Sequence, residues 1–518
     1  MLIFLPVILM LLTALALLAV RMIRPNYKYP WMIAAGGAML AFVSMFLWQI
    51  HLPQSVTLPS WQMVTAFLYV PAWLADGISW PYALALASLA VAVIWTSVVR
   101  VENKPVSWAG TLTLTAFGIL AVTAENPLTL LLAWSAIDLF ELFTMLRSAE
   151  GKSQTEEIII AFSVRIVGTG FLLWANLVSI AAGTPLDFRS TPQSTGIYLL
   201  IAAGLRLGVF PLHLPYRQEN IVRRGFGTAL RLVSAASGLA LLARIPATTL
   251  KSTLTPYLLI LVAIAALYAG WMWLNASDEI LGRPFLILGF ACLAVAESLR
   301  GNPTGSAGWG IALIFCGGVL FLFSARRRSI LWMPFLGLWV FSTLPFSLTS
   351  SAWKTGNSVS WLFVIPFLPA QALLMAGFLR YALQPGETSL ESQKEWSKVI
   401  YPTGLLILMA TAFLLGFWGW VGASIVGLWW LAILVILLAT GFTILAMRVL
   451  VRIPPGNIST QGSRIFRIEW LYHILTALYN FFLKIIEAIT SAFEGEGGLL
   501  WSFLLLVLIL SILSTRGH

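Results

Sequence analysis

Roughly sixteen apolar stretches of about 17–25 residues follow one another along this chain, most of them joined by short polar loops. Each is long enough to cross a bilayer as a helix, and in hydrocarbon only helices and closed barrels satisfy every backbone N–H and C=O. The first eight lie near residues 2–20, 31–50, 80–99, 108–124, 127–146, 157–182, 195–215 and 226–245. The others lie near 254–274, 280–298, 307–324, 330–348, 359–382, 399–418, 422–447 and 497–514. With 59% hydrophobic and 10% charged residues among 518, the chain cannot be a soluble domain. The expected fold class is an all-α polytopic membrane protein with about 14–16 transmembrane helices. The run from Leu2 to Val20 lacks a basic leader and a small-residue cleavage site, so it reads as a retained first helix.

The net charge of +11 follows from topology. Lys and Arg gather in alternate loops, for instance Arg21, Arg24 and Lys28, then Arg326, Arg327 and Arg328. An N-terminus outside the cell inner membrane puts most of the 31 basic residues in the cytoplasm, as the positive-inside rule requires. The partner that this charge implies is the lipid bilayer, with no need for nucleic acid. Cys292 and Cys316 sit in separate apolar runs, which argues against a disulfide framework, an iron–sulfur site and a structural zinc site. Nucleotide loops, flavin motifs, haem ligand pairs and metal-ligand spacings are missing as well, so neither a cofactor nor a metal is expected.

Residues 1–451 read as one transmembrane domain, with candidate five-helix repeats at about 108–245 and 254–382. Each repeat carries a proline inside its fourth run, in Gly208-Val209-Phe210-Pro211 and in Ser342-Thr343-Leu344-Pro345. Paired interruptions at matching positions mark inverted repeats and the pathway between them. Residues 51–79 form a long outer loop, with Trp61 and Trp73 expected at the membrane interface. Beyond the Pro454-Pro455-Gly456 break, residues 464–494 alternate apolar and polar positions at the helical period. They read as an amphipathic surface or lateral helix, followed by a terminal anchor at 497–518.

The segment Gly204-Leu205-Arg206-Leu207-Gly208-Val209-Phe210-Pro211-Leu212-His213 holds the strongest functional signal. A guanidinium in hydrocarbon is costly, and a proline frees a backbone carbonyl. Both are tolerated only where the helix faces protein or a wet cavity.

Several motifs then resemble, in order, the antiporter-like membrane subunits of respiratory complex I and of multi-subunit cation–proton antiporters. Asp76-Gly77-Ile78-Ser79 resembles their signature before the third helix, and Glu125-Asn126-Pro127-Leu128 through Leu132-Ala133-Trp134 the start of their fifth. Ala161-Phe162-Ser163-Val164, Val167-Gly168 and Gly170-Phe171-Leu172-Leu173 resemble their sixth. Gly204 to His213 resembles their broken seventh, and the set covers about residues 76–215. The resemblance implies two inverted five-helix repeats and a midplane chain of buried carboxylates, lysines and histidines that moves protons or sodium. It implies membrane-subunit partners in a larger complex; any redox centre would belong to those partners. The same fold serves sodium/proton antiporters, membrane hydrogenases and bicarbonate-uptake complexes.

The departures locate the candidate chemistry. Where the family has a glutamate after Trp134, this chain has Ser135; Asp138 and Glu141 follow at i+3 and i+6 on about the same face. The family's lysine is here Arg206, which holds its charge in any protein setting and cannot relay a proton. Arg165 and Arg206 could pair with the two acids, or the acids could simply neutralise neighbouring arginines. His213 is the one intramembrane imidazole, either a relay near neutral pH or a partner for the backbone opened by Pro211. Arg231 lies in the eighth run, and the second repeat carries charge only near its ends, at Asp278, Glu279, Arg283 and Glu297. The candidate site is therefore Asp138, Glu141, Arg165, Arg206, Arg231 and His213. Three functions remain open: an ion-translocating subunit of a complex I-like NAD(P)H:quinone oxidoreductase or related complex, a non-conducting scaffold of such a complex, and a solute carrier binding an anion at Arg206 and Arg231.

Overall fold

Every apolar run that falls among the described residues contains a helix in the computed structural model. The structure describes residues 2–59, 70–100, 105–149, 151–214, 224–250, 253–354 and 364–449, with Ala477 and Lys484 beyond. Along the chain the main helices are α1 (Leu5–Ile23), α2 (Pro30–Ser44), α3 (Ser79–Thr96), α4 (Pro105–Val122) and α5 (Pro127–Ser148). Then come α6 (Lys152–Ala181), α7 (Gly196–Leu207), α8 (Phe226–Arg244), α9 (Thr255–Asn275) and α10 (Glu279–Leu299). The last are α11 (Pro303–Leu322), α12 (Trp332–Val340), α13 (Phe367–Leu383), α14 (Glu395–Leu414) and α15 (Trp429–Val449). Twelve helices among the described residues are long and apolar enough to cross a membrane, which makes this a multi-pass, all-α membrane protein. The chain divides into a unit at Met1–Gln461 and another at Gly462–His518. The expected amphipathic helix at 464–494 and anchor at 497–518 lie outside the described residues, apart from Ala477 and Lys484, which are helical and exposed.

Local sequence sets the helix starts. Asn126 caps α5 by accepting from the Thr129 N–H at 3.0 Å, ahead of Pro127 in the first turn. Asp278 caps α10 through the N–H groups of Ile280 and Leu281, both at 2.8 Å. Helices α3, α8, α10 and α11 are almost wholly buried and form the centre. By contrast α1, α6 and α15 leave most of their apolar surface to lipid. A Cβ on Gly118 of α4 would come within 2.4 Å of Val233 Cγ1, so that glycine lets α4 and α8 approach closely.

The two interrupted runs differ from the sequence expectation in where and why they break. A span was expected at 195–215, yet α7 ends at Leu207 because Gly208 adopts a left-handed φ of 81°. The Gly204 carbonyl then receives the N–H of Gly208, of Val209 at 2.8 Å and of Phe210 at 3.3 Å. Glycine, three residues before Pro211, thus ends the helix and satisfies its last carbonyl. The run expected at 330–348 is helical only over α12. Beyond it Thr343 and Phe346 take φ of 59° and 64°, and the Ser342 hydroxyl accepts the Leu344 N–H at 3.3 Å.

The outer loop is also more ordered than expected. Strands β1 (Gln54–Thr57) and β2 (Ala72–Ala75) pair antiparallel, with Gln54 opposite Ala75 and Thr57 opposite Ala72. Trp73 packs edge-on against Phe4 at 5.1 Å and is only 9% exposed, so it is core rather than an interfacial anchor; Trp61 lies outside the described residues. The strand pair delivers Asp76 to the start of α3. Its carboxylate accepts from the N–H of Ile78 and of Ser79, at 3.1 and 2.8 Å, and meets both Nη atoms of Arg244 on α8 at 3.2 and 3.3 Å.

Burial alone would raise the Asp76 carboxyl, but Arg244 and the Ser79 and Ile78 donors outweigh it and hold it below its usual 3.8. A depressed carboxyl stabilises the fold above its unfolded value and loses that contribution as pH falls through the folded one. Asp76→Asn should therefore lower the thermal midpoint of the detergent-solubilised protein at pH 7. The gap to wild type should close as pH falls below about 3.8. Equal midpoints at pH 7 would show the Asp76–Arg244 pair to be idle.

Candidate functional site

Helix α5 presents Trp134, Asp138, Glu141 and Met145 at i, i+4, i+7 and i+11, a single buried stripe. Opposite that stripe, α6 brings Arg165, α7 brings Arg206 and α8 brings Arg231. All five charged side chains are at most 5% exposed, so their charges meet one another and little water.

Arg206 grips Asp138 with a two-pronged fork, Nη1 to Oδ2 and Nη2 to Oδ1, both at 2.7 Å. Its Nε donates to Ser237 Oγ on α8 at 3.2 Å, and the guanidinium lies 4.6 Å from the Trp134 ring centroid. Arg165 Nη1 donates both to Asp138 Oδ1 at 3.0 Å and to Glu141 Oε2 at 2.5 Å. Arg231 Nη1 donates to Glu141 Oε1 at 2.6 Å. Each acid is thus held by two guanidiniums, and one nitrogen of Arg165 ties the acids to each other.

Of the six candidate residues, the structure joins five in one network. Asp138 takes up the guanidinium of Arg206 on α7. Arg231, on α8, completes Glu141, a partner the sequence reading did not assign it. His213 is buried at 8% exposure but stands apart from these hydrogen bonds. Its Nδ1 lies 2.8 Å from the Pro211 carbonyl, and its Nε2 has no hydrogen-bond partner among the described residues. Ser237 and Trp134 were missed by the sequence reading, since nothing in the order of residues says which hydroxyl or ring a guanidinium will meet. A cavity of about 30 Å³, room for about two waters, opens beside the network between α5 and α6. Glu157, also missed, lines it with Asp138, Glu141, Arg165 and Arg231.

Among the described residues of 254–382, the two buried acids sit at two nodes on α10, and Arg283 of the same helix is fully buried and donates to Thr228 Oγ1 at 3.2 Å. At one end Glu279 meets Arg224 at 2.7 Å and Arg326 at 3.1 Å, and Arg224 also meets Glu387 at 2.8 Å. Burial would lower the Arg224 guanidinium, but Glu279 and Glu387 raise it overall, so this clamp stays charged. At the other end Glu297, fully buried, is held by Arg300 at 3.0 Å, Asn302 Nδ2 at 2.5 Å and the Trp353 N–H at 3.0 Å. Among the described residues, no group of three His, Cys, Asp or Glu side chains is placed to hold a metal.

Comparison with solved structures places this arrangement. The Mrp complex from Dietzia sp. aligns with all of this chain at a TM-score of 0.70 and 14% identity. The chain shares the fold of that subunit. It spans 63% of the length of that Mrp subunit. A subunit of a membrane-bound sulfane sulfur reductase, an archaeal respiratory membrane complex, aligns with 97% of this chain and 99% of its own at a TM-score of 0.63 and 14% identity. A subunit of respiratory complex I from Thermus thermophilus aligns over 86% of this chain and all of its own, at 0.60 and 18%. At these identities the likeness is one of antiporter-like fold. No family model matches the sequence, and no curated protein matches it.

Removing one member of a buried pair strands its partner's charge, at a cost of roughly 3–5 kcal/mol. Arg231→Gln should therefore destabilise the protein by about that much, whereas the charge-matched pair Arg231→Gln with Glu141→Gln should cost clearly less than the sum of the single changes. Additive losses in a thermal-unfolding cycle would mean that the two side chains do not interact.

Proposed function

We propose that this chain is a proton- or sodium-moving membrane subunit of a multi-subunit complex of the complex I or cation–proton antiporter type. It sits in the cell inner membrane with its N-terminus outside, and electron transfer, where the complex performs it, is the work of partner subunits. The observation that carries this reading is the sharing of Arg165 Nη1 between Asp138 and Glu141 beside the broken α7. Arginine keeps its proton, so only the carboxylates change charge. A proton arriving on Glu141 weakens its hold on Arg165 and Arg231 and leaves Arg165 to Asp138 alone. Its departure restores the bridge. A packed cluster with two such arrangements is the kind of element that couples a charge step to helix movement. Asp138 with Arg206 serves as the fixed half of the device and Glu141 as the half whose contacts change.

A second reading, a non-conducting scaffold that keeps the fold and its docking surfaces, has one observation in its favour. The break after α12, from Phe341 to Trp353, contains serines, threonines and apolar residues but no titratable side chain.

Arg206→Lys separates the roles. Lysine keeps the charge but lacks the fork, so about one charged hydrogen bond worth ~1.5 kcal/mol is lost. In the intact complex reconstituted into vesicles, ion transport should fall about tenfold with assembly unchanged. A rise in transport would make position 206 a relay rather than a fixed cation. Transport at the wild-type rate both in this variant and in Glu141→Gln would favour the scaffold.

A further inference from the structure

Among the described residues, Asp138, Glu141, Arg165, Arg206 and Arg231 bring three guanidiniums and two carboxylates together. A further acid, Glu157, lies two helical turns before Arg165 on α6. Its Oε2 is buried and has no hydrogen-bond partner among the described residues, while the side chain as a whole is partly exposed. It lines the cavity that also touches Glu141, Arg165 and Arg231. Met145 of α5 and Ala161 of α6 form part of the cavity's wall. Eight residues separate Glu157 from Arg165, about 12 Å along the helix, and Glu157 lies on the side where α5 ends and α6 begins.

We infer that Glu157 is the mouth carboxylate of a water-filled crevice between α5 and α6, through which protons from one membrane face reach Glu141. The inference rests on the translocation reading above and gives its site a side of access. Glu157 takes a proton from water at the mouth. The proton passes along the water in the cavity to a Glu141 oxygen, and Glu157 is left ionised again. Only O–H bonds break and form. An unpartnered Oε2 inside the crevice and a partly exposed side chain are what a group loaded from outside and unloaded inward requires.

The test combines accessibility with transport in the intact complex. The natural cysteines Cys292 and Cys316 are fully buried and contribute little background. Ala161→Cys, on the crevice wall, should react with a membrane-impermeant charged thiol reagent about tenfold faster than Ile166→Cys on the lipid-facing side of α6, because the reactive thiolate forms only where water reaches. Glu157→Gln should slow transport about tenfold while labelling at position 161 persists. Ala161→Cys no more reactive than Ile166→Cys, in a complex that still transports, would overturn the crevice and leave the translocation reading standing. Rapid labelling together with wild-type transport in Glu157→Gln would overturn the role of Glu157. Rapid labelling in a complex that moves no ion would overturn the translocation reading, and the relay with it.

Discussion

One guanidinium nitrogen shared by two acids links the charged network of α5 to α8. Arg165 Nη1 sits between Asp138 and Glu141, and through it four helices, α5 to α8, are fixed in relative position around charges that have left water. Lipid gives little hydrophobic drive to helix association, so polar contacts and close packing set the geometry. Arg206 forks Asp138 from the last turn of α7, which the left-handed Gly208 ends while the Gly204 carbonyl is still served by later N–H groups.

How much of this was legible in the sequence depended on range. Apolar length gave the helices, and the i+3 spacing of Asp138 and Glu141 placed both acids on one face before any coordinates. The partners were less legible. Arg231 and Glu141 are 90 residues apart, and only packing between α5 and α8 determines that they meet. Glu157 adjoins the exposed Glu156 in the opening turns of α6, where two neighbouring acids read as a solvated face; the cavity alone tells them apart. The breaks were seen but misplaced. Proline is the conspicuous residue in both, yet glycine ends α7, and after α12 the backbone turns with Ser342 and Thr343, whose short polar side chains compete with helical hydrogen bonds.

The two halves treat charge differently. In the first, acids and arginines meet deep among helices beside a small cavity. In the second, Glu279 and Glu297 are clamped near opposite ends of α10, Arg283 is fully buried on the same helix, and the break after α12 carries hydroxyls. Arg206 belongs to the first kind. A permanent cation cannot pass a proton onward, but it fixes the field around the neighbouring acids.

The central claim is that Arg206 faces inward and forks Asp138 while Arg165 bridges both acids. An electron cryo-microscopy map of the chain in its native complex, with side-chain density at α5 to α8, tests it most directly. The account predicts continuous density from the Arg206 guanidinium to the Asp138 carboxylate, with Arg165 between the two acids. Arg206 pointing toward lipid, or Asp138 and Glu141 on a wall away from α7, would contradict it.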